Sequence, residues 1–561
     1  MDEKGRTYRT RASLRKRNRE SENEESVDPQ TTSLLNDILE GLSVENGEYV
    51  RIDENLIKRL KPAEKEPVEI NPFKDCLDFA VVLAKGTPLT HELLDKYSHK
   101  FHMNPMGIKM ADMLGNLPIE FLALKYSKMI AENWDYNIKM SVTPHVSNQE
   151  GAGLCWMHAA TNVLRHECMK KFHVNSKFEI SQSYLFFYDK CERSNLFLEY
   201  MWQMRSTDIR DHKIHTMASP HSEALLISDG GMYPFFTALA KKYGIVPKNI
   251  YGPSMNCRSS KTMNDILIRV LNRMMLPLFR EGREWTRETF EKYKDTCNQT
   301  IYDMMVRFLG EPPKPHDTFD WTYKDVNGEC HTIKNMTPEK FYRLITIGDE
   351  GKIMIVHDPR HPETCFMQSY VENGLNIAGG PPTSMINLPL DTFKRVICDS
   401  LKNDEAVWFA CDVHQGFDEQ NKTWDTERFD YDSVLGTPLE FDKTDMLETL
   451  VSMPVHAMTF NGVDVDEDIN GKVVKYKKWR VFNSWGSESE EVEMDSGFFR
   501  MTDEYFDRYV TVAVVDMRYF EPEEANLIME NVKAGKTFTY SFTDAFGAVA
   551  MTGCNCGKSR N

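Results

Sequence analysis

The segment Asn148–Leu164, with the sequence NQEGAGLCWMHAATNVL, places a cysteine where a glycine-spaced loop turns into a helix. Small or apolar side chains follow Cys155 at helical spacing as far as Cys168, which is typical of a helix buried on one side. Because Cys155 begins that helix, unpaired backbone N–H groups and the helix dipole favour its thiolate. The segment predicts a nucleophilic thiol with a pKa below the free value of ~8.5. A buried structural cysteine is the alternative.

A partner for this thiol lies six residues upstream. The carboxamide of Gln149 can donate a hydrogen bond to an oxyanion, and Gly151 and Gly153 permit the tight loop that would bring it beside the sulfur. His158 lies one turn into the helix, and we expect it to serve in the core or behind the thiol rather than as the catalytic base.

Two strand-like segments in the C-terminal part of the chain supply the remaining polar groups. His456 begins the pattern HAMTFNGVDV, Asn483 ends the pattern KVVKYKKWRVFN, and Asn470–Gly471 between them is a strong turn signal. A hairpin would bring His456 close to Asn483, so that the Asn oxygen accepts from one imidazole nitrogen and the other faces a thiol. Trp485 would then shield that hydrogen bond from water.

Together these residues resemble the papain-like cysteine peptidases. The matching pattern consists, in chain order, of Gln149, Gly151, Gly153, Cys155–Trp156, His456 and Asn483–Ser484–Trp485–Gly486. The resemblance implies that Cys155, His456 and Asn483 are catalytic, and that Gln149 and the Cys155 backbone N–H hold the oxyanion.

Two departures narrow the resemblance to the bleomycin hydrolase family, the self-compartmentalising intracellular branch. Ala152 stands where secreted relatives carry a cysteine, and 301 residues (456 − 155 = 301) separate Cys155 from His456 instead of ~130. Further stretches that agree are SQSYLFFYDK, DGGMYPFFTALAKKYGIVPK and EAVWFACDV.

The fold implied by the resemblance is a papain-like α+β fold of two lobes. A helical lobe carries Cys155, a β-rich lobe carries His456 and Asn483, and an inserted helical subdomain occupies residues around 190–350. By the same likeness, the stretch Asp229–Gly230–Gly231 lines the substrate cleft, where glycines let the backbone approach an extended peptide. A plain turn is the alternative for these two glycines.

The activity implied is that of a cysteine aminopeptidase, which removes N-terminal residues from peptides through a thioester intermediate. Bleomycin-like amides and homocysteine thiolactone are further substrates that the likeness implies, with no cofactor or metal required. It also implies a hollow homohexamer with the active sites facing an internal chamber. The alternative function is that of a catalytically weak cage or a nucleic-acid-binding homologue.

The charge and composition of the chain bear on its partners and location. Its 561 residues carry a formal net charge of −17, which disfavours nucleic acid as a partner. No apolar run approaches the ~20 residues of a membrane-spanning helix, and the N-terminus lacks the apolar region of a secretion signal. Twelve irregularly spaced cysteines suit reduced thiols. We therefore expect a cytoplasmic protein.

The domain organisation follows from shifts in pattern along the chain. Residues 1–86 alternate charge clusters with short amphipathic pieces and predict a mostly disordered extension. Residues 87–550 predict one peptidase domain, helix-rich at 190–350, as in TMNDILIRVLNRMMLPLF, and strand-rich at 400–520, as in AVWFACDV and VTVAVVDM. Residues 551–561 predict a flexible tail.

Two stretches resemble metal sites but lack necessary ligands. Cys554 and Cys556 have no second pair of ligands nearby, as a zinc site requires. The stretch from Asp464 has the acidic spacing of a calcium loop, yet Ile469 and Lys475 occupy the places that need Gly and Glu. We expect a solvated hairpin tip there and no metal site.

Overall fold

The structure is a computed structural model that describes residues 86–130, 132–218, 226–346, 351–372, 374–487, 497–541 and 544–546. The predicted disordered extension, apart from its last residue, and the predicted tail at 551–561 lie outside the described residues. So does the pair Cys554 and Cys556. These predictions remain predictions.

Seventeen α-helices lie within the described residues. They are α1 (His91–His102), α2 (Pro105–Leu114), α3 (Ile119–Ala123), α4 (Tyr126–Ile130), α5 (Cys155–Phe172), α6 (Gln182–Met204), α7 (His212–Ala218), α8 (Tyr233–Tyr243), α9 (Met255–Arg258), α10 (Lys261–Arg280), α11 (Arg287–Leu309), α12 (Pro338–Thr346), α13 (Leu390–Lys402), α14 (Tyr431–Leu435), α15 (Lys443–Glu448), α16 (Asp503–Tyr509) and α17 (Pro522–Lys533). None of them has the length and apolarity needed to cross a membrane.

The described strands form a large mixed sheet and a separate hairpin. They are β1 (Ile138–Lys139), β2 (Phe319–Lys324), β3 (Cys330–Met336), β4 (Lys352–Val356), β5 (Gln368–Val371), β6 (Ser384–Asn387), β7 (Val407–Cys411), β8 (Phe417–Asp418), β9 (Thr423–Trp424), β10 (His456–Glu467), β11 (Val473–Phe482), β12 (Phe498–Thr502), β13 (Val510–Asp516) and β14 (Thr537–Tyr540). The large sheet runs in the order β14-β5-β6-β4-β13-β7-β10-β11-β12-β9-β8, with β1 beside β10.

Strands β10 and β11 form the predicted antiparallel hairpin. Thr459 lies opposite Phe482, and the connecting turn is closed by a hydrogen bond from the Asp468 N–H to the Lys472 carbonyl. Gly471 adopts a φ of 79° in this turn, and Ile469 at its tip is fully exposed. The structure thus confirms a hairpin tip where the sequence resembled a calcium loop. It also confirms the predicted strands in the 400–520 region.

Helix α5 lies between this sheet and the surrounding helices. The indole of Trp408, on β7, donates to the carbonyl of Trp156 at 3.2 Å, and the Thr459 hydroxyl of β10 donates to the carbonyl of Ala159 at 3.1 Å. Helices α8 and α12 pack against α5 as well. Every residue from 155 to 166 is buried. The expectation of burial on one side was wrong, because the helices on the second face are distant in sequence.

The predicted helical insertion also contains strands. Between α11 and α12 the chain forms the β2–β3 hairpin, whose Trp321 is buried and packs its ring against Phe172, Phe178 and Phe341. Phe172 is the last residue of α5. The hairpin therefore ties the insertion to the end of the helix that begins with Cys155.

The end of helix α8 generates a stability prediction. Gly244 has φ 73° and ψ −167°, and a Cβ there would lie 2.1 Å from the backbone of Pro338. Gly310 ends helix α11 in the same backbone region, φ 84° and ψ 161°, but a Cβ would meet only the Tyr251 hydroxyl at 4.0 Å. Alanine at either site costs about 1–3 kcal/mol of backbone strain, and at Gly244 the overlap adds about 1–3 kcal/mol.

We therefore expect Gly244→Ala to lower the thermal unfolding midpoint well below that of Gly310→Ala. The comparison separates the steric overlap from the strain that both variants share. Equal midpoints in a thermal melt followed by circular dichroism would contradict the predicted contact between Gly244 and Pro338.

Two buried histidines on helix α5 generate a pH prediction. Burial lowers the pKa of His158 to about 3 and that of His166 to about 4, from an ordinary value of 6.5. Between its folded pKa and pH 6.5, each histidine is therefore protonated in the unfolded chain but neutral in the folded chain. The free energy of unfolding is unaffected by these histidines above pH 6.5 and decreases as the pH falls from 6.5 toward their folded pKa values. For His166 the loss reaches about 3 kcal/mol by pH 4.

Chemical denaturation at pH 7 and pH 4.5 checks this expectation. His166→Gln should lose less stability between the two pH values than the wild type, because one proton uptake on unfolding is removed. His212→Gln, at an exposed position in helix α7, is the matched control and should keep the wild-type dependence. An unchanged pH dependence in His166→Gln would show that this imidazole is not held neutral.

Candidate active site

Cys155 is the first residue of helix α5 and is 5% exposed. Burial raises the pKa of its thiol to about 11, and this effect exceeds that of the backbone N–H groups of Ala457, Trp156 and Cys155 itself, which act to lower the pKa. The predicted lowering of the thiol pKa was therefore wrong. Removing a thiolate from water costs more than the N–H groups at the helix start stabilise it.

The β10–β11 hairpin brings His456 and Asn483 together. His456 begins β10, Asn483 follows β11, and 2.9 Å separates His456 Nε2 from Asn483 Oδ1. The same oxygen accepts from the Ser484 N–H at 2.7 Å, which orients the amide. Since this oxygen accepts, Nε2 carries the imidazole proton and Nδ1 is the basic nitrogen. Nδ1 is buried and has no hydrogen-bond partner among the described residues.

The electrostatic environment of His456 favours its neutral form. Burial lowers the pKa of His456 to about 4, against the opposing effect of the hydrogen bond to Asn483. Burial also favours the protonated Cys155 thiol. The two groups therefore hold one proton between them over a wide pH range, and they titrate as a pair rather than as independent sites.

Trp485 lies against the imidazole. The ring centroids of Trp485 and His456 are 5.1 Å apart at an interplanar angle of 32°. Phe417 and Phe499 pack edge to face against the indole from other sides. The tryptophan therefore occupies the position from which it could keep water away from the hydrogen bond between His456 and Asn483.

Gln149 is held by the chain that follows β11. Its backbone N–H donates to the Ser484 carbonyl at 2.8 Å, and its side-chain oxygen accepts from the Ser484 hydroxyl at 2.6 Å. The side-chain Nε2 group of Gln149 donates to the Ala152 carbonyl at 3.0 Å. One of the two Nε2 hydrogens therefore remains for another acceptor.

The loop between Gln149 and Cys155 turns at a residue that the sequence did not indicate. Glu150 adopts the left-handed backbone conformation with φ 52°, whereas neither Gly151 nor Gly153 has a positive φ. The Gly151 N–H donates to the Arg258 carbonyl at 2.8 Å. The left-handed residue of this loop is therefore a glutamate, and neither glycine uses its freedom to adopt a positive φ.

Gly231 is required by the packing of Trp156. A Cβ at Gly231 would lie 2.6 Å from the Trp156 ring. Gly231 also lines the pocket that contains Cys155. Gly230 is buried, and its carbonyl accepts from the guanidinium of Arg193. The structure thus brings Gly231 to Cys155, whereas Gly230 is engaged from the helical side.

Cys155 and His456 line the same small, largely apolar pocket. The residues that line it are Cys155, Gly231, Trp408, Ala410, Pro454, Val455, His456 and Ala457. The sequence pattern predicted strands at β7 and β10, but it did not single out Trp408, Ala410, Pro454 or Val455 as site residues. Strand β7 is buried along its whole length, so no alternation of polar and apolar residues marks which side chains face the pocket.

Other polar groups lie apart from the nucleophile. His158 is buried and its Nδ1 lies 3.0 Å from the Ser147 hydroxyl, in keeping with the expected role in the core or behind the thiol. Asp325, Glu329 and His331 form the one His, Cys or carboxylate cluster of the described residues that could hold a metal ion. The Asp325 carboxylate already accepts from the Glu329 N–H and lies 2.9 Å from His331 Nε2.

Comparisons with known proteins place this site in a family. Residues 88–537 match the model of the peptidase C1-like family. The chain is 35% identical over 414 residues to aminopeptidase C of Lactobacillus delbrueckii subsp. lactis. The aligned region covers 73% of this chain and 87% of the relative. It is 33% identical over 396 residues to bleomycin hydrolase of Homo sapiens, and that aligned region covers 69% of this chain and 82% of the relative.

The fold has a similar solved structure. The crystal structure of PepW from Lactobacillus rhamnosis HN001 matches with a TM-score of 0.74 and 29% sequence identity, over 82% of this chain and 98% of that one. The predicted resemblance and the predicted fold class are thereby confirmed. The chain belongs to the peptidase C1-like family of cysteine peptidases and has their papain-like α+β fold.

Proposed function

We propose that Cys155, His456 and Asn483 are the catalytic residues of a cysteine aminopeptidase. One observation carries this assignment. Cys155 and His456 line the same pocket, and the basic nitrogen Nδ1 of that histidine has no hydrogen-bond partner among the described residues, while its Nε2 is occupied by Asn483. A histidine arranged in this way can accept a proton from the thiol.

The first half of the reaction forms a thioester. The thiol proton moves to His456 Nδ1, and the sulfur attacks the peptide carbonyl carbon. The backbone N–H of Cys155 and the free Nε2 hydrogen of Gln149 donate to the oxyanion of the tetrahedral intermediate. The C–N bond then breaks, the amine leaves with the proton from His456, and the acyl group remains on Cys155.

The second half releases the acid. His456 Nδ1 takes a proton from water, whose oxygen attacks the thioester carbon. The C–S bond breaks, the thiolate recovers the proton, and the carboxylic acid leaves. Asn483 keeps the imidazole in one tautomer and one orientation throughout, and Trp485 shields their hydrogen bond.

The burial of Cys155 and His456 determines which charge state the pair adopts. Cys155 has a raised pKa and His456 a lowered one, so separated charges are disfavoured in the resting site. Transfer of the proton between them creates two opposite charges together, which stabilise each other in the buried site. The three N–H groups that point at the sulfur then stabilise the thiolate.

Peptides are the proposed substrates, bound along Gly230 and Gly231. The relatives named bleomycin hydrolase support bleomycin-like amides as substrates, and homocysteine thiolactone follows by the same resemblance. We further propose a cytoplasmic homohexamer that needs neither cofactor nor metal. The assembled site favours this enzyme over an inactive cage or nucleic-acid-binding homologue.

Replacement of the nucleophile tests the proposed function. Cys155→Ala should abolish cleavage of an aminoacyl fluorogenic substrate, because no thioester can form. Cys168→Ala is the matched control, since Cys168 lies on the same helix and is fully buried. That variant should lose some stability but keep its activity below the unfolding midpoint.

Covalent labelling completes this test. Iodoacetamide followed by peptide mapping should modify Cys155 in the wild type, and prior labelling should remove activity in proportion. Cleavage that persists in Cys155→Ala, with Cys411 labelled instead, would end the assignment.

The orienting role of Asn483 generates a second prediction. Asn483→Ala should lower kcat by more than it raises KM. The substitution lets the His456 imidazole rotate, whereas Asn483 itself is not proposed to contact the substrate. Asn387→Ala is the control, since that amide is equally buried but bonds to the Asp358 backbone at the other end of the sheet. Steady-state kinetics distinguish the outcomes, and a change confined to KM would make Asn483 a pocket residue only.

A further inference from the structure

A buried ionic network contacts the residues on either side of Cys155. Helix α6 contributes Lys190, which is fully buried and whose ammonium lies 2.6 Å from Asp229 Oδ1. The same ammonium donates to the carbonyls of Ile227 at 2.8 Å and Ser228 at 3.3 Å. One lysine therefore binds three consecutive residues of the segment that leads to Gly230 and Gly231.

A second ion pair repeats this arrangement one turn further along α6. Arg193 Nε donates to Asp189 Oδ2 at 2.7 Å, and its Nη2 donates to the carbonyl of Gly230. Asn376 adds a hydrogen bond to Asp189 Oδ1 at 3.0 Å. The two positive and two negative charges balance, which is the condition under which buried ions are tolerated.

Asp229 connects this network to both sides of the nucleophile. Its carboxylate accepts from the N–H of Gly153, two residues before Cys155, over a long 3.4 Å. Its backbone carbonyl accepts from the indole N–H of Trp156, the residue after Cys155, at 2.7 Å. Asp229 is thus hydrogen-bonded to one residue before the cysteine and to one residue after it.

Helix α10 completes the shell around the same carboxylate. The Ser260 hydroxyl donates to Asp229 Oδ2, and Asn264 Nδ2 donates to Oδ1 at 2.8 Å. Burial acts to raise the pKa of Asp229, but Lys190 together with Ser260 and Asn264 outweighs it and holds the pKa below its usual value. The carboxylate is therefore ionised and fully engaged.

We propose that Asp229 is a positioning residue for the reaction, because it fixes Gly153 and Trp156 and thereby sets where the sulfur and the backbone N–H of Cys155 stand relative to His456. The inference rests on the proposed function of Cys155. It assigns Asp229 no contact with substrate, so the residue acts through the residues it holds. The first two residues of the Asp229–Gly230–Gly231 stretch are then held from the helical side, and Gly231 faces the cleft.

Substitution of the carboxylate by its isostere is the primary test. Asp229→Asn removes the charge that orders the shell, and we expect kcat to fall about 10- to 100-fold, with KM changed less than about threefold. A peptide aldehyde, whose carbon bonds to the Cys155 sulfur while its oxygen occupies the oxyanion position, should lose affinity in proportion to kcat/KM. A purely structural role would leave both quantities unchanged in the folded fraction.

The matched control is Asp503→Asn. Asp503 also pairs with a buried lysine, Lys394 at 2.7 Å, and it too binds an indole, that of Trp479 at 3.0 Å, but it belongs to helix α16 and does not contact the loop. This variant should lower the unfolding midpoint without lowering kcat. An equal fall of kcat in Asp503→Asn would overturn the inference, as would wild-type kcat in Asp229→Asn.

Milder variants decide the question if Asp229→Asn does not fold. Ser260→Ala combined with Asn264→Ala removes two donors to the carboxylate and should lower kcat about 3- to 10-fold at unchanged KM. Asn272→Ala, two turns further on α10, is the control and should keep wild-type kcat. A wild-type kcat in the double variant would overturn the inference, whereas activity in Cys155→Ala would overturn the proposed function itself.

Discussion

The seating of helix α5 on strands β7 and β10 is the constraint on which the rest of the site depends. Two side chains of the sheet, Trp408 and Thr459, donate to backbone carbonyls in the first turns of the helix. The strand that supplies Thr459 begins with His456. Since carbonyls within a helix already accept from the helix itself, these additional bonds fix its position along the strand as well as its distance from the sheet.

Residues 155–166 of this helix are all buried, so the polar side chains among them must be satisfied inside the protein. Arg165 shows how this is done, with Nε donating to the Phe178 carbonyl, Nη1 to the Asn162 side chain and Nη2 to the carbonyls of His145 and Ser176. The same burial raises the pKa of the Cys155 thiol. The burial that encloses Cys155 therefore also disfavours its thiolate.

The loop before Cys155 is braced from two directions. From the β-rich side, Ser484 binds both the backbone and the carboxamide of Gln149. From the helical side, Asp229 binds Gly153 and Trp156. Because each brace comes from a segment far away in sequence, the loop is ordered only when both halves of the fold are in place.

The sequence by itself determined the family, the hairpin and the residues that meet in the site, because each of these depends on local pattern: glycines before Cys155, a turn at Gly471, and a strand that ends at Asn483. Only the tertiary structure decided the raised pKa of Cys155, the left-handed turn at Glu150 and the pocket residues of β7. It also decided that Asp229 faces Lys190. These features depend on burial and on contacts between segments tens to hundreds of residues apart. A local pattern does not contain them, since desolvation and ion pairing are properties of the packed interior.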